Sequence, residues 1–304
     1  MKQFNIKLLF FIIPIIILGV LFEFLLRVIP NDYSYKRAYL EQNKNQIETL
    51  IFGSSHAYYG LNPVYFDSKT FNVAYVSQTL DFDAKIFDKY KEQMPHLKSI
   101  IITISYFSFF EDLYIGGEPW RIKNYAKYCD LGSSGIFEKT EILGQKFSIN
   151  MTRFFKFYIK KDSLITTSSL GWGVYDKNNN LEVSGKEAAM RHTYYNINQE
   201  ITNNFVNILD SIITYCEARK INVIILTLPA YQSYRDNLNA YQLEKTIEIS
   251  NNLVQKHKNC IYFNLLEDNS LSTNDFRDGD HLNESGSKKI SLKINRIIEE
   301  MNEK

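Results

Sequence analysis

Five short, almost wholly apolar runs rich in β-branched residues do most to narrow what this chain can become. They occupy residues 49–52, 71–76, 99–105, 222–228 and 260–266. Such runs suit strands buried on both faces, as in a parallel sheet. Helical periodicity fills the intervals. Ile86, Phe87, Tyr90 and Met94 share a face before the third run, and Ile201, Phe205, Ile208, Ile212 and Cys216 share one before the fourth. Leu243, Ile247, Ser250 and Val254 precede the fifth, and Ile290, Ile294, Ile297, Ile298 and Met301 close the chain. The alternation predicts a three-layer α/β/α fold around a five-stranded parallel sheet of flavodoxin-like order 2-1-3-4-5. Ligands in such sheets bind beyond the carboxyl ends of the strands, beside the switch point.

The N-terminus obeys a different rule. Residues 8–22 are uninterruptedly apolar, Glu23 breaks the run, and 24–29 resume it around Arg27. With Lys2 and Lys7 ahead of it and no small-x-small cleavage site after it, residues 1–30 read as an uncleaved transmembrane signal anchor. Pro14 is tolerable in a membrane helix. The basic residues flanking the run do not decide its orientation. The short N-terminal tail favours a cytoplasmic N-terminus, giving a single-pass protein of the cytoplasmic membrane with an extracytoplasmic body. Residues 31–46 read as a linker with some helix, and 47–304 as the α/β domain. Residues 106–195 interrupt that domain and carry both Trp120 and Trp172. A stretch of this length without structure is unexpected, so an inserted cap over the rim of the sheet is predicted.

Charge and cysteine usage exclude several classes. With 35 basic and 34 acidic residues the net charge is +1, which gives no basic field for nucleic acid. Cys129, Cys216 and Cys260 are scattered, without C-x-x-C spacing, and are expected as buried thiols, not a disulfide framework or a zinc site.

Two polar motifs remain. Gly53-Ser54-Ser55-His56 follows the first run, where glycine permits a sharp turn and lets the next side chain project above the sheet. Taken alone, the fragment is better explained as a turn in which Ser54 or Ser55 caps a helix. A G-x-S-x-G elbow is a poor match, because position 57 is alanine. Asp278-Gly279-Asp280-His281 follows the fifth run. It suits half of a Ser-His-Asp relay, with Asp278 orienting His281 and Asp280 solvated. A loop capping the last helix through Asn283 or Ser285 is a second explanation. A metal site at Asp278, Asp280 and His281 is a third, and it lacks further ligands at convincing spacing. No metal or organic cofactor is expected.

Gly53-Ser54-Ser55 after the first strand, together with Asp278-x-x-His281-Leu-Asn near the end, resembles the GDSL/SGNH hydrolase superfamily. Its membrane-anchored members that modify surface polymers are closest in style. The resemblance covers residues 47–105 and 220–300. It implies Ser55 as nucleophile, His281 as general base and Asp278 as its orienter, with the backbone N–H groups of Ser55 and Ser77 holding the oxyanion. The sequence departs from the pattern in three places. Ser54 stands for an aspartate, Ser77 for a glycine, and the third-block asparagine is missing from Ile104-Ser105-Tyr106-Phe107-Ser108. The implied function is an esterase or O-acyltransferase on acyl esters, acetyl esters among them, of a surface glycan. Implied partners are an acylated carbohydrate or surface polymer, the membrane and a membrane acyltransferase. The rival is a non-catalytic envelope module that keeps the fold and binds a glycan. The other histidines are weaker candidates: His56 is expected to point away from the nucleophile and His96 and His257 to sit at element ends, while a reach of His192 from the insertion into the site is the less favoured reading of that residue.

Overall fold

The computed structural model describes residues 2–302 apart from 115, 117, 133–134, 136–138 and 175–178. Its centre is one sheet of five parallel strands: β1 (Thr49–Phe52), β2 (Thr70–Asn72), β3 (Ser99–Thr103), β4 (Asn222–Thr227) and β5 (Cys260–Asn264). The strand order is β2-β1-β3-β4-β5, the flavodoxin-like order expected from the sequence. Every pairing is parallel, and the β1, β3 and β4 side chains are almost wholly removed from water. That double burial is why these runs carry no polar alternation.

The strands stop earlier than the apolar runs. β2 ends at Asn72, whose Oδ1 accepts the Ala74 N–H at 2.9 Å while its Nδ2 donates to the Ala57 and Leu61 carbonyls, each at 2.9 Å. These local bonds turn the backbone out of the ladder. Val73, Ala74 and Tyr75 nevertheless stay buried, which explains their apolar character.

Numbering only helices of at least six residues, α1 is Lys2–Arg27, α2 Asp32–Asn43, α3 Ser55–Gly60, α4 Leu80–Tyr90 and α5 Phe147–Phe154. Then follow α6 (Leu181–His192), α7 (Gln199–Ala218), α8 (Ala240–Lys256) and α9 (Glu284–Asn302). The buried faces of α4, α7 and α9 contain the predicted Ile86, Phe87, Tyr90, Phe205, Ile212, Ile290, Ile294 and Ile298. α8 is rotated from expectation: its fully buried row is Gln242, Thr246, Ile249, Ser250 and Leu253. Gln242 Nε2 and Thr246 Oγ1 donate to the Tyr106 carbonyl at 3.0 and 3.2 Å, so polar residues paired with a loop occupy the inward row.

The chain forms two compact units. Leu40–Pro119 and Thr167–Lys304 form the unit that contains the sheet. Residues 106–119 and 167–195 of the interruption belong to it, and α6 packs there against the short helix Gln232–Arg235.

Met1–Tyr39 and Trp120–Thr166 form the other unit. Its α1 includes Ile6–Arg27, 22 residues of mean hydropathy 2.9, long and apolar enough to cross a membrane. Glu23, the acid that interrupts the run, accepts the backbone N–H groups of Glu141 and Ile142 at 2.9 Å and pairs with Arg27 at 2.9 Å. The helix thereby packs on the short helix Glu141–Gly144 and on α5.

Candidate active site

The site begins where β1 ends. Gly53 has φ +130°, and a Cβ there would fall 1.9 Å from Thr103 Oγ1, so both conformation and space demand glycine. The Gly53 N–H donates to Asp83 Oδ1 at 3.1 Å, and Gln78 Nε2 donates to the same oxygen at 2.5 Å. Burial pushes the Asp83 carboxyl up to about 7, against the pull of these two donors. Ser54 caps α3, its Oγ accepting the His56 N–H at 3.4 Å. Ser55 is therefore the first residue of α3, set directly beyond the sheet.

The second half of the site follows β5. Ser272 and Asp275 form a reciprocal cap, and the antiparallel bridge Phe276–Leu282 closes the loop carrying Arg277 to His281. Asp278 organises that loop, since its Oδ1 accepts the His281 N–H at 2.8 Å and the Asp280 N–H at 3.3 Å. The same oxygen lies 2.9 Å from His281 Nδ1, and His281 Nε2 lies 2.8 Å from Ser55 Oγ. Ser55, His281 and Asp278, 226 residues apart at their extremes, thus form one hydrogen-bonded chain. Arg277 Nε donates to the other Asp278 oxygen at 3.1 Å, and its guanidinium lies 4.0 Å over the Tyr59 ring, which meets His281 edge-on. Gly279 lets the loop press on α6: a Cβ there would fall 2.1 Å from Gly185 Cα.

Asp280 is not the solvated residue expected. It is 4 % exposed, with Oδ1 3.4 Å from His281 Nδ1 and Oδ2 3.6 Å from His56 Nε2. Burial opposes its charge, but the two imidazoles outweigh burial and hold the carboxyl far below its usual range. His56 does point away from Ser55, as expected, and its Nδ1 meets Ser105 Oγ at 2.9 Å. Burial lowers the His56 pKa despite Asp280. For His281 burial pushes the same way, but the charges of Asp280 and Asp278, with the Asp278 hydrogen bond, raise the balance above the ordinary value. Two carboxylates therefore face one imidazole.

His192, from the interruption, does not reach Ser55 or His281 but packs behind His56, in line with the weaker weight given to it as a site residue. Its Nδ1 meets the Tyr234 hydroxyl at 3.0 Å, its ring lies 4.2 Å from Phe107, and burial pushes its pKa down to about 3. His257 sits at the C-terminal end of α8, bonded to Asp210 at 2.8 Å and Glu217 at 3.2 Å. His96 lies exposed in the turn before β3.

Ser77 has φ +58°, the left-handed geometry that suits the glycine it replaces. Its hydroxyl bonds to Glu118. Among the described residues, no contact joins Ser77 to Ser55 or His281, and neither the Ser55 nor the Ser77 N–H has an acceptor. Ser105, near the place of the missing asparagine, spends its hydroxyl on His56 and on Ser54 Oγ at 3.2 Å.

His56, Asp280 and His281 offer donor atoms within 4.8 Å of one another, a possible metal grouping. Both His281 nitrogens are engaged, Nδ1 by Asp278 and Nε2 by Ser55. A metal there would have to break the chain of bonds, leaving two protein ligands that do not, a poor set for tight binding.

A serine after β1 joined to a D-x-x-H loop after β5 completes the pattern. This is the arrangement that the resemblance to the SGNH superfamily implies. No family model matches the sequence, and no curated protein does. Among solved structures, the chain is similar to a provisionally named platelet activating factor from Streptococcus pneumonia, with TM-score 0.44, 10% identity, and 93% of this chain and 98% of that one covered. It is also similar to a provisionally named acylhydrolase from Bacteroides fragilis, with TM-score 0.41, 12% identity and coverage of 86% and 94%. A GDSL-like lipase from Bacteroides thetaiotaomicron gives TM-score 0.40, 12% identity and coverage of 88% and 98%.

Asp83 and the His56–Asp280 pair escaped the reading of the SGNH motifs. Asp83 had a signal: it occupies the same helical face as Ile86, Phe87 and Tyr90, where a carboxylate is out of place.

Proposed function

We propose that this protein is an SGNH-type serine esterase or O-acyltransferase, held at the cytoplasmic membrane by α1 with its catalytic unit outside the cytoplasm. Its substrates are acyl esters, acetyl esters among them, on a surface glycan. The observation that carries the reading is the unbroken chain Ser55 Oγ–His281 Nε2 at 2.8 Å and His281 Nδ1–Asp278 Oδ1 at 2.9 Å.

In this reading His281 takes the Ser55 proton as the oxygen attacks the ester carbonyl, and Asp278 stabilises the imidazolium. The Ser55 and Ser77 N–H groups donate to the oxyanion. His281 returns the proton to the departing alcohol, leaving an acyl-Ser55 ester. Water, or a sugar hydroxyl, then gives its proton to His281 and takes the acyl group, and His281 passes that proton to the departing Ser55 Oγ. Glycan specificity and any membrane acyltransferase partner rest on the resemblance stated above.

A non-catalytic envelope module is the second reading, favoured by the commitment of Ser105 to His56 where an asparagine donor is missing. A fluorophosphonate probe separates them. Applied to the full chain in detergent, it labels the wild type and spares Ser55→Ala if the enzyme reading holds. A folded wild type that takes no label leaves the module.

A further inference from the structure

The unit that contains α1 also contains a cavity of about 260 Å³, quite apart from the Ser55 chemistry. Four cations line it, Arg121, Lys123, Lys127 and Arg153, against two carboxylates, Asp32 and Glu141. Both carboxylates are spoken for. Asp32 accepts the Thr166 N–H at 2.7 Å and its hydroxyl at 2.6 Å. Glu141 is 1 % exposed and pairs with Lys127 at 3.0 Å and Arg153 at 2.6 Å. The Lys123 ammonium donates to a carbonyl, that of Gly144, in place of a carboxylate. Burial, with the charge of Lys127, pushes it down to about 8. Lys127 and Arg153 thus share one carboxylate and the Lys123 ammonium meets a carbonyl, and this positive charge in a partly dry cavity favours an anion.

The cavity's place in the fold says which anion. Glu141 is both its deepest carboxylate and the residue whose N–H binds Glu23, four residues before the end of the apolar helix. Leu143, Phe147, Ile149, Phe155 and Ile159 are large apolar residues exposed beside it. Phe22 of α1 continues this face, its ring 6.4 Å from Phe147 and 5.7 Å from Phe154. An apolar face continuous with a membrane-length helix belongs at the acyl–headgroup boundary. Trp120 and Tyr128, also lining the cavity, are residues suited to that depth. We propose that the cavity binds the phosphate of an anionic phospholipid headgroup, with Lys123 as its main donor. The ligand is a phosphate ester presented by the bilayer into which α1 inserts.

Trp120 supplies the readout, because Trp172 is the only other tryptophan. The full chain in non-ionic detergent is titrated with dihexanoyl-phosphatidylglycerol, with dihexanoyl-phosphatidylcholine and with inorganic phosphate. The proposal expects a saturable emission change with phosphatidylglycerol that Trp120→Phe abolishes and that high salt weakens. Lys123→Gln should weaken it about 10-fold, the loss of one charge-assisted bond. No saturable change, or an equal response to phosphatidylcholine, overturns the proposal. Saturation by inorganic phosphate with the lipid inactive overturns the assignment to a lipid. If Lys123→Gln fails to melt cooperatively, the salt dependence of the wild type decides: a salt-insensitive response also overturns it.

Discussion

His56 Nε2 and Asp280 Oδ2 face each other at 3.6 Å in the interior, and neither atom has a hydrogen-bond partner among the described residues. The carboxylate between His56 and His281 cannot be solvated, so its charge must be felt by both rings. It adds to Asp278 on the imidazole that is bonded to Ser55.

Sharing of His281 by two carboxylates has a kinetic consequence. Loss of the orienting carboxylate of a serine triad can cost ~10⁴ in rate. Here Asp280 Oδ1, 3.4 Å from Nδ1, can take over part of that role. Asp278→Asn should therefore slow probe labelling by only ~10²–10³-fold, with the double Asp278→Asn/Asp280→Asn variant showing the full loss. Asp280→Asn alone removes a charge that raises the His281 pKa, so the acid limb of the labelling profile moves to lower pH. Asp278→Asn as slow as the double variant, with an unmoved limb in Asp280→Asn, would contradict this.

Gly279→Ala tests how the histidine loop is held. The new Cβ would sit 2.1 Å from Gly185 Cα and 3.0 Å from the Leu181 carbonyl, all backbone atoms that cannot swing aside. The loop must retreat from α6 and carry His281 with it. Labelling of Ser55 should fall by more than ~10-fold, since small displacements of a reacting group are costly. A variant that labels at the wild-type rate would show that the contact does not position His281.

His192 predicts an acid-sensitive fold. Its pKa is pushed down to about 3, so as pH falls below the ordinary value of ~6.5 the unfolded chain binds a proton that the folded chain refuses. Stability is lost across that window. His281 works oppositely: its raised pKa contributes stability at low pH that disappears as pH rises through the folded value. His192→Gln isolates the first effect. Between pH 7 and pH 4 the variant should lose ~2 kcal/mol less than the wild type, a figure reduced because the ring keeps some solvent contact. Parallel losses in denaturant titrations of the two proteins would remove His192 from the account.

The fold was legible because burial imposes composition: a strand covered on both faces has no use for a polar residue, so the β1, β3 and β4 runs announce themselves. Their ends were less legible. The apolar stretch after Asn72 is buried without being strand, because the Asn72 side chain holds the Ala74 N–H in a local turn and ties the chain to the Ala57 carbonyl. α8 misled for a related reason, its buried row being polar and paired with the Tyr106 carbonyl.

For the site, the amino-acid sequence alone determined that a serine follows a glycine turn after the first strand and that an aspartate and a histidine lie three residues apart after the fifth. Local chemistry sufficed for that. That Asp280 also faces His281 instead of meeting water depended on the course of the 277–281 loop and on α6, which the chain supplies nearly a hundred residues earlier. Distance in sequence says nothing of such packing. Only the tertiary structure put His56 opposite Asp280, and the low dielectric around that pair makes the second carboxylate matter to His281.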